Sequence, residues 1–393
     1  MQRDRDFPTT LSPEVRLLLF AAGPPAADAA IHALINSGEI NWESLLDAAD
    51  AERATAILWR RIRNSLPPDL RPAVRARFER SALVADFTSS YMEQRAGETL
   101  SALASIGIVG VLLKGAALAE TVYGSYFERP MGDIDLLVEP TQAQAAWRLA
   151  QSSGWQWDAA RYPLANYERH AHLPPLQDSK GGILRLELHS SLFVAGSPFL
   201  LSERELRERG REISVGHGAA RAVVPCREHL LLHTCVHFAW SHMLSFGAWR
   251  SFRDVVALAS AGIDWGFFEA EVQRNRAASS AYWTLHLAKR LASADVPSDT
   301  IHRLARSTDS MARGLTERHL EGELFSGQPE CPSVSLRRLL WEAAIRPGRS
   351  SHGSARPWNL DDVGGVGEVA RRGVHERLTQ IGATVRYLRR LVD

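Results

Sequence analysis

The chain has 393 residues, with 46 basic against 45 acidic side chains and a formal net charge of +1. That balance excludes a dedicated electrostatic nucleic-acid binder, and the length suits two domains better than one. Cys226, Cys235 and Cys331 show neither an even count nor CxxC spacing, which excludes a disulfide framework and a cysteine-zinc site.

The first residues, MQRDRDFPTTLSPEVRLLLFAAG, lack the apolar core of a signal peptide, and no stretch reaches the roughly 18 to 20 apolar residues of a membrane span. A cytoplasmic protein is expected. Ser12-Pro13 pairs an N-cap with a proline at the first helical position and predicts a helix through PEVRLLLFAA. Apolar residues at three and four spacing predict further helices around Ala27 to Asn36, Trp42 to Leu58 and Pro72 to Ala104, so residues 1–105 read as a helical N-terminal region.

From Ile106 the texture changes. IGIVGVLL is short, β-branched and continuous, and reads as a buried strand that delivers the chain to Lys114-Gly115. A helix over Ala116 to Val122 should follow, then the strand GDIDLLV, a helix over Gln142 to Ser152, and two extended stretches, RHAHLPPL and ILRLELHSSL. Residues 106–198 are therefore expected to form an α/β core with a mixed sheet of about four or five strands.

Beyond Pro198 helices return at Glu228 to Trp240, Trp249 to Ala261, Asp264 to Arg274 and Ser280 to Ala292, giving a helical domain over 199–345. The Gly/Pro/Ser-rich run RPGRSSHGSARPWN marks a flexible loop over 346–363. Residues 364–393 read as a terminal amphipathic helix, better suited to docking on its own domain than to a membrane or a partner helix. The fold class expected is α+β, a small mixed-sheet core flanked by helical regions.

Asp133 and Asp135 alternate with apolar Ile134 and Leu136, so on a strand both carboxylates project to one face. Like charges so placed repel, and a hard divalent cation with oxygen ligands relieves them. On that reading Asp133→Asn or Asp135→Asn removes activity and leaves the fold intact or slightly more stable. Two metals need a third acid. Glu187 qualifies, because it alternates with Leu186 and Leu188, with Arg185 and His189 on its side.

Lysine occurs only at Lys114, Lys180 and Lys289, so Lys114 directly before Gly115 points to a position that wants a compact ammonium. Gly115, at a strand-to-helix junction, lets backbone N–H groups approach phosphate, and Lys114 and Arg129 add positive charge beside it. His229, His233 and His237 recur every fourth residue, which raises zinc ligation. No glutamate stands between them as in HExxH, and the Leu-rich helix favours buried, hydrogen-bonded histidines instead.

Together Lys114-Gly115-Ala116, Gly132-Asp133-Ile134-Asp135-Leu136-Leu137-Val138 and Glu187-Leu188-His189 resemble the DNA polymerase beta-type nucleotidyltransferase superfamily. Within it the chain is similar to the bacterial family of uncharacterised nucleotidyltransferases, in its LKG opening, its Arg129 ahead of GDIDLLV, its ELH strand and its later RDVVAL and IDW. The likeness spans roughly Trp42 to Arg274. Ala116 departs from the superfamily's usual serine, which leaves that phosphate contact to backbone N–H groups.

The resemblance implies a polymerase-beta-like core that moves an NMP group from an NTP, ATP first among the candidates, to a hydroxyl on a small molecule, peptide or protein, releasing pyrophosphate. Mg2+ is the implied cofactor, with Mn2+ the alternative. Asp133, Asp135 and Glu187 would be the catalytic and metal-binding acids; Lys114, Gly115, Ala116, Arg129 and Gly132 would bind the nucleotide; His189, His237 and Asp254 would line the acceptor pocket or support the acids. Two rivals keep the same residues: a silent nucleotide-binding protein, and a tailoring enzyme that transfers another group from an activated phosphate donor.

Overall fold

The structure is a computed structural model, and it describes residues 11–180, 184–216, 220–308, 310–325, 331, 333–345 and 383–391. The expected loop over 346–363, and the part of the terminal helix before residue 383, lie outside the described residues.

Helix α1 (Pro13–Ala22) starts as its sequence requires, with the Ser12 hydroxyl accepting from the Val15 amide and proline in the first turn. Helices α2 (Asp28–Asn36), α3 (Trp42–Ala51) and α4 (Thr55–Ile62) follow. The single helix expected over Trp42 to Leu58 is therefore two. The break falls at Arg53, whose left-handed backbone (φ 55°) cannot continue α3. Helix α5 (Pro72–Ser105) then runs for 34 residues.

The sheet has seven strands rather than the four or five expected: β1 (Val111–Leu112), β2 (Asp133–Leu137), β3 (Trp155–Trp157), β4 (Leu176–Asp178), β5 (Arg185–His189), β6 (Arg211–Val215) and β7 (Ala220–Val224). Their order across the sheet is β3-β4-β5-β2-β1-β7-β6. The extra pair is the β6–β7 ladder, which carries the sheet beyond residue 198. Alternation in REISV and ARAVV was its signal, concealed by the short span and its charged outward positions.

In contrast, the long strand read from IGIVGVLL shrinks to two residues, because α5 persists to Ser105 and Gly107 takes φ +76° in the turn that follows. Central β1 pairs antiparallel with β2 and parallel with β7. Next to it, β2 and β5 run parallel in register, Asp133 opposite Arg185 and Asp135 opposite Glu187.

Helix α6 (Lys114–Leu118) leaves β1 and passes into a π-helical turn over Ala119–Tyr123. Helices α7 (Ala143–Ser152) and α8 (Glu203–Glu208) precede the second helical region: α9 (Arg227–Val236), α10 (Ala248–Ser260), α11 (Trp265–Arg274), α12 (Ala278–Ala292), α13 (Ser298–Ala305), α14 (Ser310–Glu323) and α15 (Val334–Ile345). The first helix belongs to this region by packing: α1 lies against α10 and α12, and the Trp249 indole donates to the Leu18 carbonyl at 2.7 Å. Residues 383–391 form a helix that docks on the chain itself, with Tyr387 and Leu391 buried beside Leu336 and Leu340 and the Tyr387 hydroxyl 2.7 Å from His319 Nδ1.

Candidate functional site

Parallel register decides what faces what. Because Asp135 stands opposite Glu187 and side chains alternate, Leu186 and Leu188 turn to the buried side while the two carboxylates share the other. Lys114, one residue after the Leu113 amide bonds the Asp135 carbonyl at 3.0 Å, brings Nζ to 2.6 Å from Asp135 Oδ1 and 3.8 Å from Glu187 Oε2. Its backbone pays for this placement with φ +46°, a left-handed conformation that L-residues avoid.

His189 Nε2 donates to Asp135 Oδ1 at 2.9 Å and lies 3.8 Å from Glu187 Oε2. His172 Nδ1 donates to the Leu173 carbonyl at 2.7 Å, so its Nε2 lone pair faces Glu187 Oε2 at 3.8 Å.

These surroundings drive the two acids apart. Burial opposes ionisation of Asp135, but the Lys114 ammonium and the His189 hydrogen bond outweigh it and hold the carboxyl well below its ordinary range. Glu187 goes the other way: burial dominates, Lys114 offsets only part of it, and the Asp135 charge adds to the rise, pushing Glu187 up to about 8. Lys114 is held above its usual value, because the three acids overcome the cost of burying its charge.

Burial also keeps a wall of histidines neutral: His172 is pushed down to about 3, His233 to about 3 and His242 to about 4, and His189 and His237 are lowered too. Lys114 reinforces each of these shifts. His233 and His237 feel the charges of Lys114 and Asp135, while His229 bonds Glu271 at 3.1 Å and serves the helical core.

Asp135, Glu187 and His189 each present a ligand atom within 4.8 Å of the others, and among the described residues no other group of three such side chains comes as close. The two carboxylates fit a divalent cation, and His189, whose Nε2 donates to Asp135, supports that acid. Asp133 stands outside this tight group, on the same face but with a 34% exposed side chain opposite Arg185 at 3.9 Å.

The remaining expected residues are distributed less simply. Gly115 and Ala116 are buried, and a Cβ on Gly115 would stand 3.0 Å from Met131 Sδ, so a larger residue there would have to push Met131 aside. A Cβ on Gly132 would meet Arg53 Nη1 at 2.5 Å. Arg129 is gripped by Asp254: Nε reaches Oδ1 at 2.7 Å and Nη2 reaches Oδ2 at 2.8 Å, and the Tyr123 hydroxyl also donates to Oδ1 at 2.9 Å. Asp254, expected to line an acceptor pocket or to support the site, anchors through Arg129 the segment that leads into β2.

Removing one member of so buried a pair costs about 3 kcal/mol or more. Asp254→Ala should lower stability by that amount in urea denaturation; a loss under about 1 kcal/mol would show that the fork does not hold the segment.

Sequence reasoning missed Arg53, His172 and His242. His172 stands in RHAHLPPL, whose two histidines at alternate positions were the available signal.

A family model described as uncharacterised nucleotidyltransferase matches residues 38–293, well over half of the chain, and the chain belongs to that family. It is accordingly a transferase of phosphorus-containing groups. No curated protein matches the chain. No described helix is long and apolar enough to cross a membrane.

Proposed function

We propose that this nucleotidyltransferase moves an NMP group from an NTP, ATP first among the donors, to an acceptor hydroxyl and releases pyrophosphate. The observation that carries the reading is the in-register pairing of β2 with β5, which sets Asp135 against Glu187 beside the Lys114 ammonium.

Asp135 and Glu187 would hold a divalent cation, with Asp133 at the open side. Mg2+ is the first choice, with Mn2+ the alternative. When bound, such an ion polarises the phosphoryl oxygens and neutralises charge that builds up on them. His189 orients the Asp135 carboxylate through its 2.9 Å hydrogen bond. Lys114 and the Asp254-braced Arg129 meet the negative charge of the triphosphate. Backbone amides at the start of α6 cradle it, since Ala116 offers no hydroxyl.

The acceptor oxygen forms its bond to Pα as the bond from Pα to the bridging oxygen breaks, and that electron pair leaves with pyrophosphate. The hydroxyl proton passes to the ionised carboxylate of Glu187, a form that burial disfavours in the empty site and that a neighbouring cation would favour.

A thermal-shift titration with the four NTPs tests the reading. At least one should raise Tm only when Mg2+ or Mn2+ is present, and failure of all four would overturn it. The silent-binder reading draws on Ala116 and would show the same shift with no pyrophosphate released on any acceptor.

Lys114 gives a sharper check, because its ammonium sits where a cation would meet Asp135. Lys114→Ala should bind Mn2+ alone about tenfold more tightly by calorimetry, while NTP affinity falls by a similar factor. Unchanged values for both would mean that Lys114 serves only to pair with Asp135 and meets neither metal nor nucleotide.

A further inference from the structure

Beside the carboxylates lies a cleft of about 480 Å³, walled by the α3–α4 corner, the middle of α5 and the segment that leads into β2. Its size suits a small organic molecule. Two contacts tie it to the site. Met131 lines the cleft and packs on Gly115, next to Lys114. Arg53 lines it as well and lies against Gly132, so Asp133 follows directly on that contact.

The charges of the cleft do not balance. Arg77 is neutralised by Asp47 at 2.9 Å and Asp50 at 2.5 Å, and Asp50 also accepts the Thr55 hydroxyl. Arg53 and Arg80 have no acidic partner among the described residues, and both are exposed. Between the arginines the surface is mainly apolar, formed by Ala56, Val84, Ala85, Met92 and Met131, with the hydroxyls of Ser81, Thr88 and Ser89 among them. Val84 is 63% exposed, and Leu83 and Phe87 stand open on the same stretch of α5. Contiguous apolar surface rimmed by unpaired cations matches an amphipathic anion.

We propose that this cleft receives the acceptor, and that the acceptor is a hydroxyl-bearing amphipathic anion with an apolar body on Val84 and Met131 and its charged group on Arg53 and Arg80. The assignment rests on the nucleotidyl-transfer reading above and adds the acceptor class to it. In-line displacement keeps the incoming oxygen and the departing pyrophosphate on opposite sides of Pα. Lys114, Asp135 and Glu187, which meet the metal and the triphosphate in that reading, do not line the cleft, so it is left for the acceptor rather than the nucleotide.

Fluorescence titration tests this with two dyes of similar shape: 8-anilinonaphthalene-1-sulfonate, an apolar body with one fixed anion, and neutral N-phenyl-1-naphthylamine. The anionic dye should bind one per chain, at least tenfold more tightly than the neutral one. In the Arg53→Gln/Arg80→Gln variant its affinity should drop about tenfold or more, while that of α,β-methylene-ATP with Mg2+, measured by calorimetry, stays within about twofold. Val84→Glu should weaken the dye in the same way, and thermal melts confirm that each variant is folded.

Equal binding of the two dyes, or undiminished binding of the anionic dye to the double variant, would overturn the proposal. Displacement of the dye by α,β-methylene-ATP, together with nucleotide affinity lost in the double variant, would assign the cleft to the nucleotide and overturn it too. If no nucleotide binds and the dye still does so through the arginines, the transfer reading fails and the anion-binding cleft stands.

Discussion

Asp135→Asn is expected to reduce nucleotidyl transfer by about 10²- to 10³-fold or more, measured as pyrophosphate release, because it removes the ionised acid to which both Lys114 and His189 are directed. Its effect on stability departs from what the strand pattern alone suggests. Two like charges on one face predict relief when either is neutralised, yet Asp135 is buried in an ion pair with Lys114, and an amide leaves that ammonium without its nearest carboxylate. Breaking such a pair is costly. Glu187 limits the damage: once the Asp135 charge that raises it is gone, Glu187 ionises more readily and takes up Lys114 from 3.8 Å. A net loss of roughly 2 kcal/mol is expected in denaturant titration. A stabilised Asp135→Asn protein would mean that repulsion, not pairing, governs this strand.

Glu187→Gln should cut turnover by about 10²-fold and leave nucleotide affinity within about threefold. Its stability profile should change as well. The Glu187 carboxyl lies near 8 in the folded chain and at an ordinary 4.5 once unfolded, so below about 4.5 both states hold the proton. As pH rises from there to 8 the unfolded chain gives up a proton that the folded chain keeps, and the contribution of this group to stability is lost. Asp135, shifted downward, contributes above its unfolded value and loses that only in acid. The buried neutral histidines add stability as pH rises toward about 6.5, and they do so in wild type and variant alike.

The difference between the two proteins therefore isolates Glu187. The variant should gain about 3 to 4 kcal/mol relative to wild type between pH 5 and pH 8. Parallel profiles would show that Glu187 is ionised throughout and that burial does not raise its carboxyl in the folded chain.

The charged face was readable in the sequence because alternation and parallel strands obey the same period: placing Asp135 opposite Glu187 needs only the two apolar patterns to be buried. The partners of these acids were less accessible. Lys114 stood out by its rarity, but its left-handed backbone and its approach to Asp135 arise from the turn between β1 and α6. Arg129 and Asp254 are 125 residues apart, and nothing local in either segment announces a bidentate pair. His172 was hidden for a related reason, since RHAHLPPL reads as a strand and instead supplies only an isolated bridge between His172 and His189 before β4. Arg53 reaches Gly132 only because α3 ends where it does.

Two-residue β1 has a bearing on how the chain acquires its shape during synthesis. Its neighbour on one side, β2, begins about twenty residues later, but its parallel neighbour β7 arrives only at Ala220–Val224. Until then the middle of the sheet presents an unpaired edge made of Val111 and Leu112. So short a strand cannot hold that edge alone, and the parallel partner closes a loop of more than a hundred residues, which makes its arrival a slow, entropically costly event. The acids of β2 and β5 can be in register while the nascent chain is still short. The floor beneath them is completed only when residue 224 has left the ribosome, so the charged face is assembled before the sheet that supports it.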